Sequence, residues 1–455
     1  MLTPEDLLPW LDRLQARRLW VAFSGGLDST ALLLALASLR KHRDIDLRAV
    51  HANHGVHPDA DEWARHCKRL CESLSVYLEQ IGPPHSPLPP DSPEAQLRHW
   101  RYGAFETLLD IGDVLCTAHH RADQAETVLL ALMRGSGPAG LAAMPEVRSL
   151  GKGRLARPLL DWPRSDLVAL VRDAGVTWID DPGNAGTDPD RNYLRHEVIP
   201  RLRQRWPAAN TALATSARHC AQSQAVLDER LDASLSRHSP VRGLLHWSPL
   251  AGEAHRERLL LRRWLSRSDV APLPRARLEA FLTQLATARE DRHPRLEWAG
   301  HSLQRHREHL WLDSPAFDEP VGPLILAPEP NGRTRGASRA ETPDLLTTGL
   351  APAGAAFAGL TLRRRAPGDR LRIGRNARSR PLKQWLSTSL LPPWQRDAVP
   401  VLCRDSDVLA IADAVLDDDL AAHLSAAGRG LRWSPPDPGL GWAWERCRPG
   451  LLRVE

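Results

Sequence analysis

Along about the first 200 residues, short apolar runs alternate with longer stretches whose apolar positions recur every three to four residues. Residues 19–23 (LWVAF) form an uninterrupted apolar run of strand length, the pattern of a strand covered on both faces. A glycine turn follows, and the apolar stretch 29–39 predicts a helix. Residues 47–51 predict a second strand, and residues 59–75 place Trp63, Cys67, Leu70 and Leu74 on one helical face. A proline-rich loop (GPPHSPLPPDSP) leads into a helix over 94–109, a strand over 114–118 and a helix over 123–134. Strands alternating with helices imply βαβ units and a mainly parallel sheet, the α/β class. In such sheets ligands bind outside the carboxyl ends of the strands.

From 207 to 236 the pattern is helical with a polar face, and it continues in HRERLLLRRWL at 255–265. Between 314 and 359 the composition shifts to Pro, Gly, Ala and Thr with little periodicity. Strand-like runs return beyond 360, for example 399–402 and 408–411. The expected division is a parallel-sheet domain over 1–213, a helical middle domain over 214–318, a Pro/Gly/Ala-rich linker over 319–358, and a small basic α+β domain over 359–455.

The 455 residues are 42% hydrophobic and 25% charged, which excludes collagen-like, wholly disordered and disulfide-scaffold classes. The start of the chain carries acids and a proline where a secretory signal needs a basic, then apolar, stretch. The longest apolar stretch, 31–39, is far short of a membrane span. The expectation is a cytoplasmic protein with no membrane association. Cys67 and Cys71 share a helical face beside His66, but no second ligand pair follows, so buried thiols are expected rather than a metal site. Of 60 basic residues only four are lysine, and the formal charge is +5. The preference for arginine matches a codon bias also visible in the Ala, Pro and Gly content.

The turn over residues 23–30 reads FSGGLDST, between a strand and a helix. Two glycines allow close backbone approach to a ligand, and Ser24, Ser29 and the free amides at the helix start make an anion site. The lysine of a GxxxxGK[ST] loop is missing. Asp28 beside polyphosphate requires a cation, which makes it a candidate Mg²⁺ ligand. In TAHHRADQAET (117–127), Asp123 and Glu126 are three apart at a helix start, facing the strand-end crevice with His119 just before them. Acids in a first helical turn are also favourable in their own right. His51, His54 and His57 form a further histidine-rich turn, HANHG at 51–55, for which nucleotide contacts or loop structure are expected rather than metal.

SGGLDS resembles the signature of the PP-loop ATP pyrophosphatases (adenine nucleotide α-hydrolase-like), which implies transfer of AMP to a substrate oxygen with release of pyrophosphate. With RGSGPAGLAAM (134–144), DPGN (181–184), DRNYLRH (190–196), VIP (198–200), RAPGDR (365–370), LKQWL (382–386) and PPWQRD (392–397), the chain is similar to the tRNA(Ile)-lysidine synthetase family. That family often has an aspartate where this chain has Ala122, and a leucine where it has Val56. The resemblance implies a ligase joining free L-lysine to C2 of the wobble cytidine in the CAU anticodon of an isoleucine tRNA. Its co-substrate is ATP with Mg²⁺.

Carried over by position, Ser24, Gly25, Gly26, Leu27, Asp28 and Ser29 hold ATP and Mg²⁺. His119, Asp123 and Glu126, with Asp28, form the catalytic group, Asp123 and Glu126 grip the lysine, and Arg134 faces the same crevice. Arg191, Asn192 and Arg195 meet substrate phosphates. The oligomeric state is left open, a homodimer being one candidate.

Residues 361–385 hold eight arginines, one lysine and a single acid, a local +8 in a chain of net +5. Codon bias does not produce that imbalance of sign. With the resemblance, Arg363, Arg364, Arg365, Arg370, Arg372, Arg375 and Lys383 read as a tRNA backbone surface. Trp385 and Trp394 read as core. The rivals are a PP-loop tRNA thiolase, whose CxxC spacing no two cysteines here have, and a non-catalytic tRNA-binding protein.

Overall fold

The computed structural model describes residues 3–53, 55, 57–82, 94–180, 190–268, 270–289, 292–313, 324–328, 345–346, 360–373, 379–387, 391–426, 429–435 and 438–451. The chain divides into two compact units, Met1–Leu227 and Asp228–Glu455.

The first unit runs α1 (Leu8–Leu14), β1 (Arg18–Ala22), α2 (Leu27–Leu39), β2 (Leu47–Ala52), α3 (Ala60–Ser73), β3 (Tyr77–Ile81), α4 (Glu94–Leu108), β4 (Asp113–Cys116) and α5 (Arg121–Met133). It continues through α6 (Pro138–Leu141), β5 (Val147–Leu150), β6 (Gly153–Ala156), α7 (Arg164–Asp173), α8 (Asp190–Tyr193), a π-helical turn over Leu194–Val198, and α9 (Ile199–Arg205). α10 (Ala209–His238) runs through the boundary between the units. The strands and helices expected up to α5 form within two residues of their expected bounds.

The six-stranded sheet has the order β3-β2-β1-β4-β6-β5, parallel except for β5. From β1 the chain winds outward to β3 and then returns to the other side of β1 as β4. The carboxyl ends of β1 and β4 therefore diverge into a crevice at the switch point. α1, α2, α3 and α7 cover one face of the sheet, with Trp10, Leu32, Leu36, Cys71 and Val171 in one core. α2 is apolar on nearly every side because it lies between the sheet and other helices. On the other face, Phe105 of α4 and Leu109 just beyond it pack on Trp20, Leu115 and Leu155.

In the second unit β7 (Leu244–His246), α11 (Ala254–Ser266), α12 (Arg275–Thr287), β8 (Arg295–Trp298), β9 (His301–His306) and β10 (His309–Asp313) follow α10. The middle segment is thus helical, with an added antiparallel sheet in the order β7-β10-β9-β8. Within the expected linker lie β11 (Leu324–Pro328) and β12 (Leu345–Leu346). The C-terminal part holds β13 (Leu360–Arg364), β14 (Arg370–Leu371), β15 (Arg380–Pro381), α13 (Leu382–Ser387), β16 (Pro400–Arg404), β17 (Asp407–Ile411), β18 (Val415–Leu416), α14 (Asp418–Ala426), β19 (Arg429–Trp433) and α15 (Pro438–Leu451). Its main antiparallel sheet is β13-β16-β17-β18, and β11 pairs with β19. Trp385 is buried in this core and Trp394 packs against it, as expected. Among the described residues no helix is long and apolar enough to cross a membrane.

His306 and His309 flank the β9–β10 turn, and burial pushes both imidazoles down to about 4 from an ordinary 6.5. Both ring nitrogens of His306 lack hydrogen-bond partners. Between pH 6.5 and 4 the unfolded chain takes up protons that these folded sites refuse. Stability is therefore full above about 6.5 and lost as pH falls towards 4, by about 1–3 kcal/mol for each histidine. Thermal unfolding at pH 7.5 and 5.0 checks this, and His306→Leu is expected to flatten the difference.

Candidate active site

The turn after β1 is shaped by Gly25, whose φ of +81° suits glycine. A Cβ there would lie 2.4 Å from Ile179 Cδ1, so the loop is packed against the chain beyond α7. The Ile179 amide donates to the Gly25 carbonyl at 2.9 Å. The Ser24 amide donates to Ser29 Oγ at 3.3 Å, and Ser29 Oγ donates to the Gly26 carbonyl at 3.0 Å. α2 starts at Leu27 with no side chain capping it, which leaves its first amides for a ligand.

Behind the loop, His51 Nδ1 lies 2.9 Å from the Phe23 carbonyl and 3.5 Å from Cys67 Sγ. This histidine is a buried brace. His57 stacks on Trp63 with ring centroids 4.4 Å apart, and His54 lies outside the described residues. Burial pushes the Cys67 and Cys71 thiols up to about 12, so both stay protonated. Among the described residues no group of three His, Cys, Asp or Glu could hold a metal.

Asp28, on the first turn of α2, faces His120 and Arg164. Its Oδ2 lies 3.6 Å from His120 Nε2 and its Oδ1 3.4 Å from Arg164 Nε. Asp28 Oδ1 is buried without a hydrogen-bond partner, a hard oxygen suited to Mg²⁺ held jointly with nucleotide phosphates. The other side of His120 faces Asp123: Nδ1 lies 3.3 Å from Asp123 Oδ2, out of line for a hydrogen bond. Burial pushes the His120 imidazole down, but Asp28, Asp123 and Glu126 together outweigh it and raise its pKa.

The β4–α5 junction supplies the remaining groups. His119 Nδ1 lies 2.9 Å from Thr117 Oγ1, and burial pushes the imidazole down to about 4, so it is neutral at pH 7. Asp123 caps α5, accepting from the His120 amide at 2.9 Å. Burial alone would raise its carboxyl, but the facing His120, His119 and Arg191 hold it below the usual range. Asp123 thus occupies the first turn of α5, where an acid is favourable in its own right, and it also lines a cavity at the strand ends.

Neither acid of the pair is open. Arg191 Nε donates to Glu126 Oε2 at 2.7 Å, and Arg195 Nε donates to Glu126 Oε1 at 2.7 Å. Arg195 Nη2 also reaches Asp123 Oδ1 at 3.1 Å and Glu126 Oε2 at 3.0 Å. Arg191 comes from α8 and Arg195 from the π-helical turn, a local widening of the helix often found at functional sites. These two arginines, expected to meet phosphates, thus also neutralise the acids expected to grip lysine. Asn192 lies between them on α8.

Two cavities meet at Ser24, Asp28 and Ser29. One, of ≈ 280 Å³, is lined by Val50 and Ala52, by His119 and Asp123, and by Arg98, Arg101 and Tyr102 of α4. The other, of ≈ 720 Å³, is lined by Gly26, Leu27, His120, Glu126, Arg164 and Arg195, among others. Sequence reasoning missed His120, Arg98, Arg101 and Arg164. Only the one-turn spacing of Arg98 and Arg101 on α4 was a usable signal. Arg134 is exposed at the end of α5, and the chain after it, through Met144, lines a different cavity of ≈ 1010 Å³. Gln124 fastens that chain, bonding the Met144 carbonyl at 3.0 Å and its amide at 3.1 Å.

The basic segment belongs to the second unit. Arg363 is held by Asp369 through two bonds of 2.8 Å, and Arg365 pairs with Asp397. Arg370 bonds Ser379 Oγ at 3.0 Å. Arg364, Arg370, Arg372 and Lys383 are exposed, and Arg375 lies outside the described residues.

Residues 5–202 match the model of a PP-loop domain, residues 250–311 that of a TilS substrate binding domain, and residues 360–433 that of a TilS substrate C-terminal domain. The chain is 41% identical over 421 residues to the tRNA(Ile)-lysidine synthase of Alkalilimnicola ehrlichii, covering 90% of this chain and 93% of that one. The chain belongs to the tRNA(Ile)-lysidine synthase family. The family's enzyme from Methylococcus capsulatus is 36% identical, with 91% of this chain and 96% of that one covered. Among solved structures, the U34-tRNA thiolase NcsA from Methanococcus maripaludis aligns at 15% identity over 46% of this chain and 73% of its own, with a TM-score of 0.37.

Proposed function

We propose that this protein, as a tRNA(Ile)-lysidine synthase, adenylates C2 of the wobble cytidine in the CAU-anticodon isoleucine tRNA and then replaces AMP with the ε-amine of free L-lysine. The observation that carries the reading is the meeting, at the β1/β4 switch point, of an open glycine turn with Asp28 and the acid pair Asp123 and Glu126.

The chemistry explains why both parts are needed. The oxygen on cytosine C2 is a poor leaving group until it carries AMP. The turn amides, Ser24 and Ser29 hold the polyphosphate. Bound Mg²⁺, with Asp28 as its protein ligand, supplies neutralisation of the charge that develops as pyrophosphate departs. The lysine ε-amine has a pKa of about 10.4 and arrives as a non-nucleophilic cation. Asp123 and Glu126 attract that cation, and His119, neutral at pH 7 and beside Asp123, is the group that receives its proton. Arg191, Asn192 and Arg195 orient substrate phosphates. A tRNA substrate places the reaction in the cytoplasm.

The test of this reading against a thiolase is AMP formation with ATP, Mg²⁺ and the isoleucine tRNA transcript. Sustained turnover that requires L-lysine and no sulfur donor supports it. Turnover indifferent to lysine would overturn it.

The exposed cations Arg364, Arg370, Arg372 and Lys383 supply the tRNA backbone contact of the C-terminal part. Four phosphate contacts give a slope of about −3 to −4 for log affinity against log salt. The double variant Arg372→Ala, Lys383→Ala is expected to reduce that slope by about 1–2 units in filter binding over 50–200 mM salt, roughly equally for all tRNAs.

A further inference from the structure

The acid pair proposed to take lysine is the least accessible part of its own site. The Glu126 side chain is 1% exposed and that of Asp123 12%, whereas Arg191 and Arg195 are 30% and 37% exposed. What faces an incoming ligand is guanidinium. Both Glu126 oxygens already accept bonds of 2.7 Å from Arg191 and Arg195, and Asp123 Oδ1 accepts from Arg195 at 3.1 Å. Asp123 Oδ2 is taken by the His120 amide and faces its ring. Two carboxylates matched by two guanidiniums leave no net negative charge for an ammonium. Lysine entering this arrangement would place a third cation against a neutralised pair, in surroundings that screen charge poorly.

A phosphate ligand meets the opposite situation. It finds two partly exposed guanidiniums whose planar donors match phosphate oxygens as well as carboxylate oxygens. We infer that Arg191 and Arg195 keep the lysine site closed until a phosphate-bearing substrate draws their guanidiniums off Asp123 and Glu126, so that lysine binds after that substrate. This inference rests on the reading of Asp123 and Glu126 as the lysine carboxylates. The exchange needs only rotation of two long side chains, and it trades one set of charge-assisted bonds for another. The order has a chemical use, because the amine is recruited only when there is a base to receive it. Nucleotide polyphosphate and tRNA backbone phosphate share the required chemistry.

The experiment is equilibrium dialysis of labelled L-lysine against the full chain in three arms: protein alone, protein with Mg²⁺ and a non-hydrolysable ATP analogue, and protein with the isoleucine tRNA transcript. Lysine is expected to bind between about 5-fold and 150-fold more tightly in at least one phosphate arm than to the protein alone. The arm that shows the gain identifies which phosphate draws the arginines. By reciprocity, lysine tightens that phosphate ligand by the same factor. Arg195→Gln is expected to raise lysine affinity in the free protein towards the loaded value. Equal affinity in all three arms overturns the inference even if the variant misfolds.

Asp123→Asn separates the two claims. If lysine binding in the tighter arm is lost in this variant, the carboxylate reading stands, and the comparison of arms decides the order. If binding survives there, the carboxylate reading itself fails.

Discussion

Replacing Asp28 with asparagine is expected to slow AMP formation by about 100- to 1,000-fold while leaving the fold intact. The substitution keeps the shape of the side chain and removes its charge. Asp28 Oδ1 has no hydrogen-bond donor, so the amide oxygen loses no structural bond. Its two neighbours, His120 and Arg164, lie 3.6 and 3.4 Å away, distances at which the loss is mainly electrostatic. On the proposed function, what disappears is the negative oxygen that would hold Mg²⁺ against the polyphosphate, a contact worth most as pyrophosphate departs. Rates of AMP and pyrophosphate release, with a thermal melt as control, measure both sides. A rate within about threefold of the parent protein would remove Asp28 from the chemistry.

Glu126→Ala is expected to act on stability as strongly as on activity. The carboxylate is buried and receives three guanidinium bonds of 3.0 Å or less. Its removal leaves Arg191 and Arg195 competing for Asp123 alone. Breaking one side of a buried ion pair costs about 3–5 kcal/mol, and the partial exposure of both arginines places the cost near 3. The loss belongs to the first unit, so unfolding followed by several probes is expected to separate into two steps. Glu126→Gln keeps an acceptor and is expected to recover part of the stability, but not the attraction for lysine that the proposed function gives this carboxylate. A melt of Glu126→Ala that coincides with that of the parent protein would contradict the geometry of the pair.

Much of the first unit was readable in the chain because its central strands are covered on both faces. Residues 19–23 carry an unbroken apolar run for that reason, and 47–51 (LRAVH) keeps Leu47, Ala49 and Val50 in a short β-rich run. β3 was not foreseen, since Tyr77–Ile81 sits at a half-exposed edge and reads as a mixed polar segment. The β5–β6 hairpin and the β8–β10 sheet hide similarly behind Arg, Ser, Gln and His at strand positions. β11 was masked by the proline- and glycine-rich composition around it.

Motif spacing singled out Asp28, His119, Asp123 and Glu126, because they follow closely in the chain on the ends of β1 and β4. The pairing of Glu126 with Arg191 and Arg195 spans 65 and 69 residues, and periodicity carries no information over such a separation. The excess of arginine after residue 360 was visible as charge. The internal commitments of Arg363 to Asp369 and Arg365 to Asp397 became visible only once the chain was folded.

The central claim is that one site joins lysine to the wobble cytidine of a single tRNA. It is tested most directly with labelled L-lysine, ATP and Mg²⁺, incubated separately with the isoleucine and the methionine tRNA transcripts that share the CAU anticodon. The account predicts label in the isoleucine tRNA, dependent on ATP, and none in the methionine tRNA. Label in neither, or equally in both, would contradict it.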